Sequence, residues 1–251
     1  MTSDVPLRPL ASPPVVAVVG EAHEAVRALG AAGVHVRSAG AEIAAEEPAR
    51  VVVVAGPVEG RAAAVRAAVA AGQHAFVAWP PGALAEAEAL VRDAEEAGVE
   101  VGVEQPLAWP GMDGPPVRLV AATIVMDGSA WRRRLAGALD VCTARVGRRE
   151  AVRVSAVAER DGARLQAVAT TVRYQNGALA HVLVRAGRAE AGAGVAVYAA
   201  GAEASADAKD AFADEAVAFV QAVAARRPCA YPLHHALATL RLAERVAAAM
   251  R

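Results

Sequence analysis

The chain has 251 residues, 55% of them hydrophobic and 21% charged, with a formal net charge of −1. That balance describes a globular protein with a sizeable core and excludes the basic excess of a nucleic-acid binder. The short Arg132-Arg133-Arg134 run reads as a solvated helix face, and no stretch approaches the ~20 apolar residues of a membrane span.

From Met1 to Pro14 the chain is rich in proline and has no apolar leader core, so residues 1–14 read as a loose tail. Val15-Val16-Ala17-Val18-Val19 is a continuous apolar run ending at Gly20, as in a strand buried on both faces. Ala22, Ala25, Val26 and Leu29 then recur at helical spacing within a helix predicted over 21–32, with Gly33 as its stop. A short strand is predicted over 34–37 and a short helix over 42–47. Val51 to Ala55 is a second apolar strand, closed by Gly56-Pro57. A helix over 59–71 leads to a strand over 74–78. Trp79-Pro80-Pro81-Gly82 breaks the chain before a helix over 84–97, and a strand over 99–103 follows. Strands alternating with helices of this length imply βαβ crossovers and a parallel sheet. Ligands of such sheets sit at the carboxyl ends of the strands.

Gln105 to Pro116 is dense in proline and glycine and reads as the junction of two halves, 15–105 and 106–251. A helix is predicted over 130–146. Beyond it the period changes to two: strands are expected from Val152 to Ala158 and from Leu165 to Tyr174. Gln175-Asn176-Gly177 is a hairpin turn, because Asn-Gly tolerates positive φ. A partner strand over 178–185, a further one over 194–199, and two amphipathic helices over 211–225 and 233–249 complete the chain. The expected fold class is therefore a Rossmann-like α/β domain followed by an open, mainly antiparallel sheet with helices on one face.

The Val51–Pro57 strand and turn, the Ala70-Ala71-Gly72-Gln73-His74 helix exit, and Pro80 followed by the Leu84–Leu90 helix together resemble the Gfo/Idh/MocA family of nicotinamide-dependent oxidoreductases. The strand pair around Tyr174–Gly177 and the closing helices after Arg226-Arg227-Pro228 are similar to that family's second half. The chain is shorter than usual members. The resemblance implies a cofactor, NAD or NADP, held near Gly20, Glu21, Ala22, Ser38, Ala55, Gly56, Pro57, Trp79 and Pro80, and a small sugar-like or polyol substrate.

The residues at the motif positions have changed. A dinucleotide loop of the form G-x-G-x-x-G needs its second glycine so that backbone can approach pyrophosphate. Here Gly20-Glu21-Ala22-His23-Glu24-Ala25 keeps only the first glycine, puts a Cβ at Ala22, and adds two carboxylates. No acid for a ribose follows the second strand. Arg37 and Ser38 suit a 2′-phosphate, and they are equally ordinary loop residues beside a deleted strand–helix unit. The family's Glu-Lys-Pro triplet is Ala78-Trp79-Pro80, and Trp has no titratable proton to give. An aromatic plug fits Trp79 better than a stacking platform. The family's Asp and its His four residues on become Asp140 and Ala144. Asp140 then reads as a helix-surface carboxylate, and with His181 it is the remaining candidate for an acid or base. His74, His181 and the pair His234-His235 are scattered, and neighbours on a helix point in different directions, so no metal site is expected. Cys142 and Cys229 lack ligand spacing and read as reduced thiols in a cytoplasmic protein.

Loss of three separate chemical motifs points to a degenerate oxidoreductase-fold protein acting as a binding, regulatory or partner subunit. An active NAD(P)-dependent oxidoreductase and a structural dimerisation protein are the alternatives. The partners expected are a small-molecule ligand and either a second copy or a paralogue, met through the C-terminal sheet, with no nucleic acid and no membrane.

Overall fold

The computed structural model describes residues 15–39, 50–106, 116–126, 131–162, 164–186, 194–199, 202–207 and 211–250. The predicted tail over 1–14, the short helix over 42–47 and most of the 105–116 junction lie outside them.

The first unit opens with β1 (Val15–Val19), α1 (His23–Ala31), β2 (His35–Ala39), β3 (Val51–Val54), α2 (Val58–Ala70), β4 (His74–Val77), α3 (Leu84–Ala97) and β5 (Val101–Val103). The strands form one sheet of order β2-β1-β3-β4-β5, and all of its pairings are parallel. The order reverses at β1, whose two neighbours are β2 and β3; this is the switch point at which a doubly wound sheet opens a crevice. All four residues of β3 are buried, which explains the unbroken valine run: a strand covered on both faces has no polar side to present.

The units are not contiguous in sequence. The first comprises Met1–Gln105 and Asp210–Leu237, and the second Pro106–Lys209 and Ala238–Arg251. Sequence periodicity groups all of 106–251 together, but helix α5 (Phe212–Ala224) belongs with the first sheet. The reason lies in packing. Ala216, Phe219, Val220 and Val223 join Val16, Val18, Leu29, Val51, Val53 and Phe76 in one core. Phe76 meets Phe212 and Phe219 at ring-centroid distances of 5.4 and 5.5 Å. Gly102 of β5 leaves room for the Phe219 ring, which a Cβ there would approach to 2.5 Å.

The second unit contains β6 (Leu119–Met126), α4 (Trp131–Arg145), β7 (Ala151–Asp161), β8 (Arg164–Tyr174), β9 (Leu179–Ala186), β10 (Gly194–Ala199) and β11 (Ala202–Asp207). The closing helix α6 (Leu233–Ala249) contributes its later turns. Sheet order is β11-β10-β6-β9-β8-β7. The 7–8, 8–9, 6–10 and 10–11 pairings are antiparallel, whereas β6 lies parallel to β9. The sheet is thus mixed. Its inner face, from Val120 and Ile124 to Val172 and Val184, packs on Leu135, Leu139 and Cys142 of α4 and on Leu242 and Val246 of α6.

Candidate functional site

The residues singled out in the first half gather at the carboxyl ends of three adjacent strands. Gly20-Glu21-Ala22 follows β1, Ala55-Gly56-Pro57 follows β3, and Trp79-Pro80 follows β4. Helix α1 begins at His23, later than periodicity suggests, so the first loop is only those three residues. Its turn depends on glycine: Gly20 has φ +91°, and a Cβ there would come within 2.3 Å of the Ala55 carbonyl oxygen. The Ala55 N–H donates to the Val19 carbonyl at 2.8 Å, tying the two loops together.

Two further residues build this end of the sheet and were not singled out by sequence. Arg61, in the second turn of α2, donates to the carbonyls of Gly56 (2.9 Å), Ala78 (3.3 Å), Trp79 (2.7 Å) and Pro80 (3.0 Å). One guanidinium so fastens the loop after β3 to the loop after β4, using the fixed fork of donors that only Arg supplies. Glu104, just past β5, is buried and accepts the Trp79 N–H at 2.9 Å. The only signal for Glu104 in the sequence is a carboxylate ending an apolar run. Trp79 itself is 3% exposed, and its peptide bond to Pro80 is cis.

A dinucleotide would meet side chains unlike those of a glycine-rich phosphate loop here. Its pyrophosphate would take the free N–H groups at the start of α1, where Glu21 and Glu24 stand exposed and Ala22 carries a Cβ. The nearest cation along the helix, Arg27, pairs with Glu24 at 3.7 Å. On the nicotinamide side, an indole stands where the resemblance implies a lysine. Ser38 is not in a loop after the second strand: it lies within β2, paired with Val18, because the strand runs to Ala39. The loop beyond lies outside the described residues.

In the second unit the two acid–base candidates are kept apart. Asp140 is not a surface carboxylate; it is 5% exposed. Its Oδ1 accepts from Arg148 Nη1 at 3.2 Å and from Thr239 Oγ1 at 3.0 Å, so it joins α4, the turn after it and α6. Beside it, burial pushes the Cys142 thiol up to about 12, with the Asp140 charge adding to the effect. His181 lies on the other face of the sheet. Its neighbours Ala180 and Val182 are core residues, while His181 is exposed with Nδ1 2.9 Å from Thr171 Oγ1.

Three further histidines make contacts within the first unit. His74 is buried at the start of β4, and its Nδ1 accepts the Glu100 N–H at 2.9 Å. Desolvation holds its pKa below the ordinary value, against a smaller opposing pull from the Glu100 carboxylate. The rings of His234 and His235 meet edge to face at 4.4 Å, closer than adjacent helical positions suggest. Among the described residues no group of three or more His, Cys, Asp or Glu is placed to hold a metal ion, and no helix is long and apolar enough to cross a membrane.

No family model and no curated protein matches the sequence. Solved structures do match. UDP-N-acetylglucosamine 3-dehydrogenase GnnA from Acidithiobacillus ferrooxidans aligns over 94% of this chain and 97% of its own, at 17% identity and a TM-score of 0.77. The fold is that of the Gfo/Idh/MocA dehydrogenases. GenD2 from gentamicin A biosynthesis, solved in complex with NAD, aligns over 96% of both chains at 18% identity and a TM-score of 0.72. Scyllo-inositol dehydrogenase from Lactobacillus casei, solved with NAD(H) and scyllo-inositol, covers 95% of this chain and 97% of its own at 11% identity and 0.74. At such identities the Gfo/Idh/MocA likeness speaks for the backbone, and the chemistry has to be argued from the side chains.

Proposed function

We propose that this protein is a catalytically degenerate Gfo/Idh/MocA-fold protein that acts as a binding, regulatory or partner subunit. The observation that carries the reading is Trp79: a buried indole, on a residue whose backbone N–H donates to Glu104, occupies the place of the implied lysine. An indole neither gives nor takes a proton at neutral pH, so the general acid that the resemblance requires is missing there. The two carboxylates at the start of α1 and the sealed Asp140 support the same reading. The outward face of the second sheet supports a partner role, since Val157 and Leu119 are 72% and 55% exposed on it. Free, buried Cys142 and Cys229 favour the cytoplasm, where thiols stay reduced.

The test is titration of the full chain with NAD(H) and NADP(H) by calorimetry and thermal shift. A ligand bound only by the native state raises stability by RT ln(1 + [L]/Kd), about 2.7 kcal/mol at 100 times Kd. The expected result is no shift at millimolar cofactor, for the native protein and for Trp79→Lys alike, because the changes around Ala22 are separate from that at Trp79. Micromolar binding together with turnover of a sugar-like substrate would overturn the proposal.

A further inference from the structure

Asn176 is the only asparagine among the 251 residues, and a glycine follows it. Asparagine is a thermolabile residue, most of all before glycine, where no side chain shields the next backbone nitrogen. Residues 175–177 link β8 to β9. The Tyr174 N–H donates to the Ala178 carbonyl at 2.9 Å, and the Gly177 N–H donates to the Tyr174 carbonyl at 2.9 Å. Of the linking residues only Gly177 takes positive φ, +79°, as in a turn closed by a glycine bulge. The backbone therefore asks for glycine at 177 but not for asparagine at 176. What the hairpin uses is the carboxamide. Its Nδ2 donates to the Val146 carbonyl just past α4 at 3.2 Å, while its Oδ1 accepts the Ala178 N–H at 3.1 Å. Ionised aspartate has no donor for the first of these bonds, and glutamine carries its carboxamide a methylene farther out.

We propose that Asn176 is a modification site gated by the fold: the closed hairpin withholds both reacting groups, and opening it commits the residue to conversion into aspartate or isoaspartate. The reaction needs only water. The Gly177 backbone nitrogen, having lost its proton to base, attacks the Asn176 Cγ. A bond forms between them, the Cγ–Nδ2 bond breaks, and Nδ2 leaves as ammonia with protons from water. Water then adds to either carbonyl of the succinimide ring and reopens it, leaving the carboxylate on the side chain or on the main chain. No electrons are exchanged. In the closed hairpin the attacking nitrogen is held through its proton to the Tyr174 carbonyl, and the carboxamide is held at both ends. Neither group swings onto the other without breaking those bonds. Burial is not the guard, because Asn176 and Gly177 are both exposed. Arg118 adds a second latch: its Nη1 donates to the Asn176 carbonyl at 2.9 Å and ties the loop to the start of β6. After conversion the hairpin cannot close as before. A carboxylate at 176 turns an acceptor toward the Val146 carbonyl, at the negative end of the α4 dipole, and the isomer lengthens the backbone of a tight loop.

The experiment incubates the full chain in mildly alkaline buffer, native and in urea, and follows ammonia release and the mass of the tryptic peptide 174–185. Asp113, Asp127 and Asp161 also precede glycine, but they isomerise without releasing ammonia, so the two signals together report Asn176 alone. Conversion in urea should run at least ~10-fold faster than in the native chain, since it proceeds only from the open hairpin. Arg118→Ala should speed the native reaction about threefold or more and leave the rate in urea unchanged. Gly177→Ala, read in urea alone so that its folding is immaterial, should slow conversion, because the new methyl crowds the attacking nitrogen. Asn176→Asp, which stands in for one product, should lose amide protection over 174–178 in hydrogen exchange. Equal rates in native and urea-unfolded chains overturn the gate. An Asn176→Asp chain with native protection over those amides overturns the claim that conversion prevents closure.

Discussion

Replacing Gly20 with Ala should be among the most damaging single-methyl changes available to this chain. Two costs add at that position. An L residue at φ +91° leaves the favoured backbone regions, for about 1–2 kcal/mol. The new Cβ would also stand 2.3 Å from the Ala55 oxygen and 2.7 Å from its carbonyl carbon. Those are backbone atoms of the half-buried loop after β3, and they cannot rotate away as a side chain can. Relief requires moving the loop after β1 against the loop after β3, so the total should reach about 2–4 kcal/mol, or roughly 5–12 °C in Tm for a chain of this size. Gly56→Ala is the control for backbone alone: φ is +102°, but the nearest atom, the Gly20 Cα, is at an ordinary 3.6 Å. It should lose only about 1–2 kcal/mol. Gly60→Ala sits in α2 with open space around it and should gain about 0.5 kcal/mol from helix propensity. Urea denaturation followed by circular dichroism measures all three. Equal losses for Gly20→Ala and Gly56→Ala would show that the close approach of the two loops carries no weight.

Other expectations follow from single contacts. Arg61→Lys should destabilise by about 1.5–3 kcal/mol, nearly as much as Arg61→Ala, because an ammonium cannot span four carbonyls on two loops; chemical denaturation compares them. Native Cys142 and Cys229 should resist a thiol reagent at pH 8, since burial pushes both thiols up, Cys142 to about 12, and both should react once the chain is unfolded. Burial depresses the His74 pKa in the folded state, so between that pKa and its ordinary 6.5 the unfolded chain binds more protons. The stability His74 contributes should be complete above pH 6.5 and fall on acidification, and His74→Gln should flatten that slope in a melting series. Gly102→Val should loosen α5 from the first sheet by colliding with the Phe219 ring, read as lost protection of the 212–224 amides in hydrogen exchange.

Most strands and helices were legible because burial writes itself into sequence. The valine run of β3 and the period-two pattern of β7 and β8 each have one physical reading. Strand β6, at Leu119–Met126, was not legible: it follows a proline-dense junction and pairs with strands far along the chain, and an isolated apolar run does not declare its period. The unit to which α5 belongs could not be read either, since its apolar stripe fits any sheet and its partner is set by Phe76 and by the absence of a side chain at Gly102. At the candidate site the loops were readable from Gly20, Gly56 and Pro80, whereas Arg61 and Glu104 act on backbone atoms, a role no motif records. Asp140 looked like a surface group because its partner Thr239 lies 99 residues away.

The return of Asp210–Leu237 to the first unit also orders the events of synthesis. A ribosome that has released the strands β1 to β5 has made a sheet with one face still lacking Phe219 and Val220, and that covering arrives only after the whole second sheet has emerged. The first unit therefore waits, partly uncovered, for nearly the full length of the chain. Late closure of this kind slows folding and exposes apolar surface to aggregation. A fragment ending at Gln105 should accordingly be insoluble or chaperone-bound, however regular its βαβ pattern looks on paper.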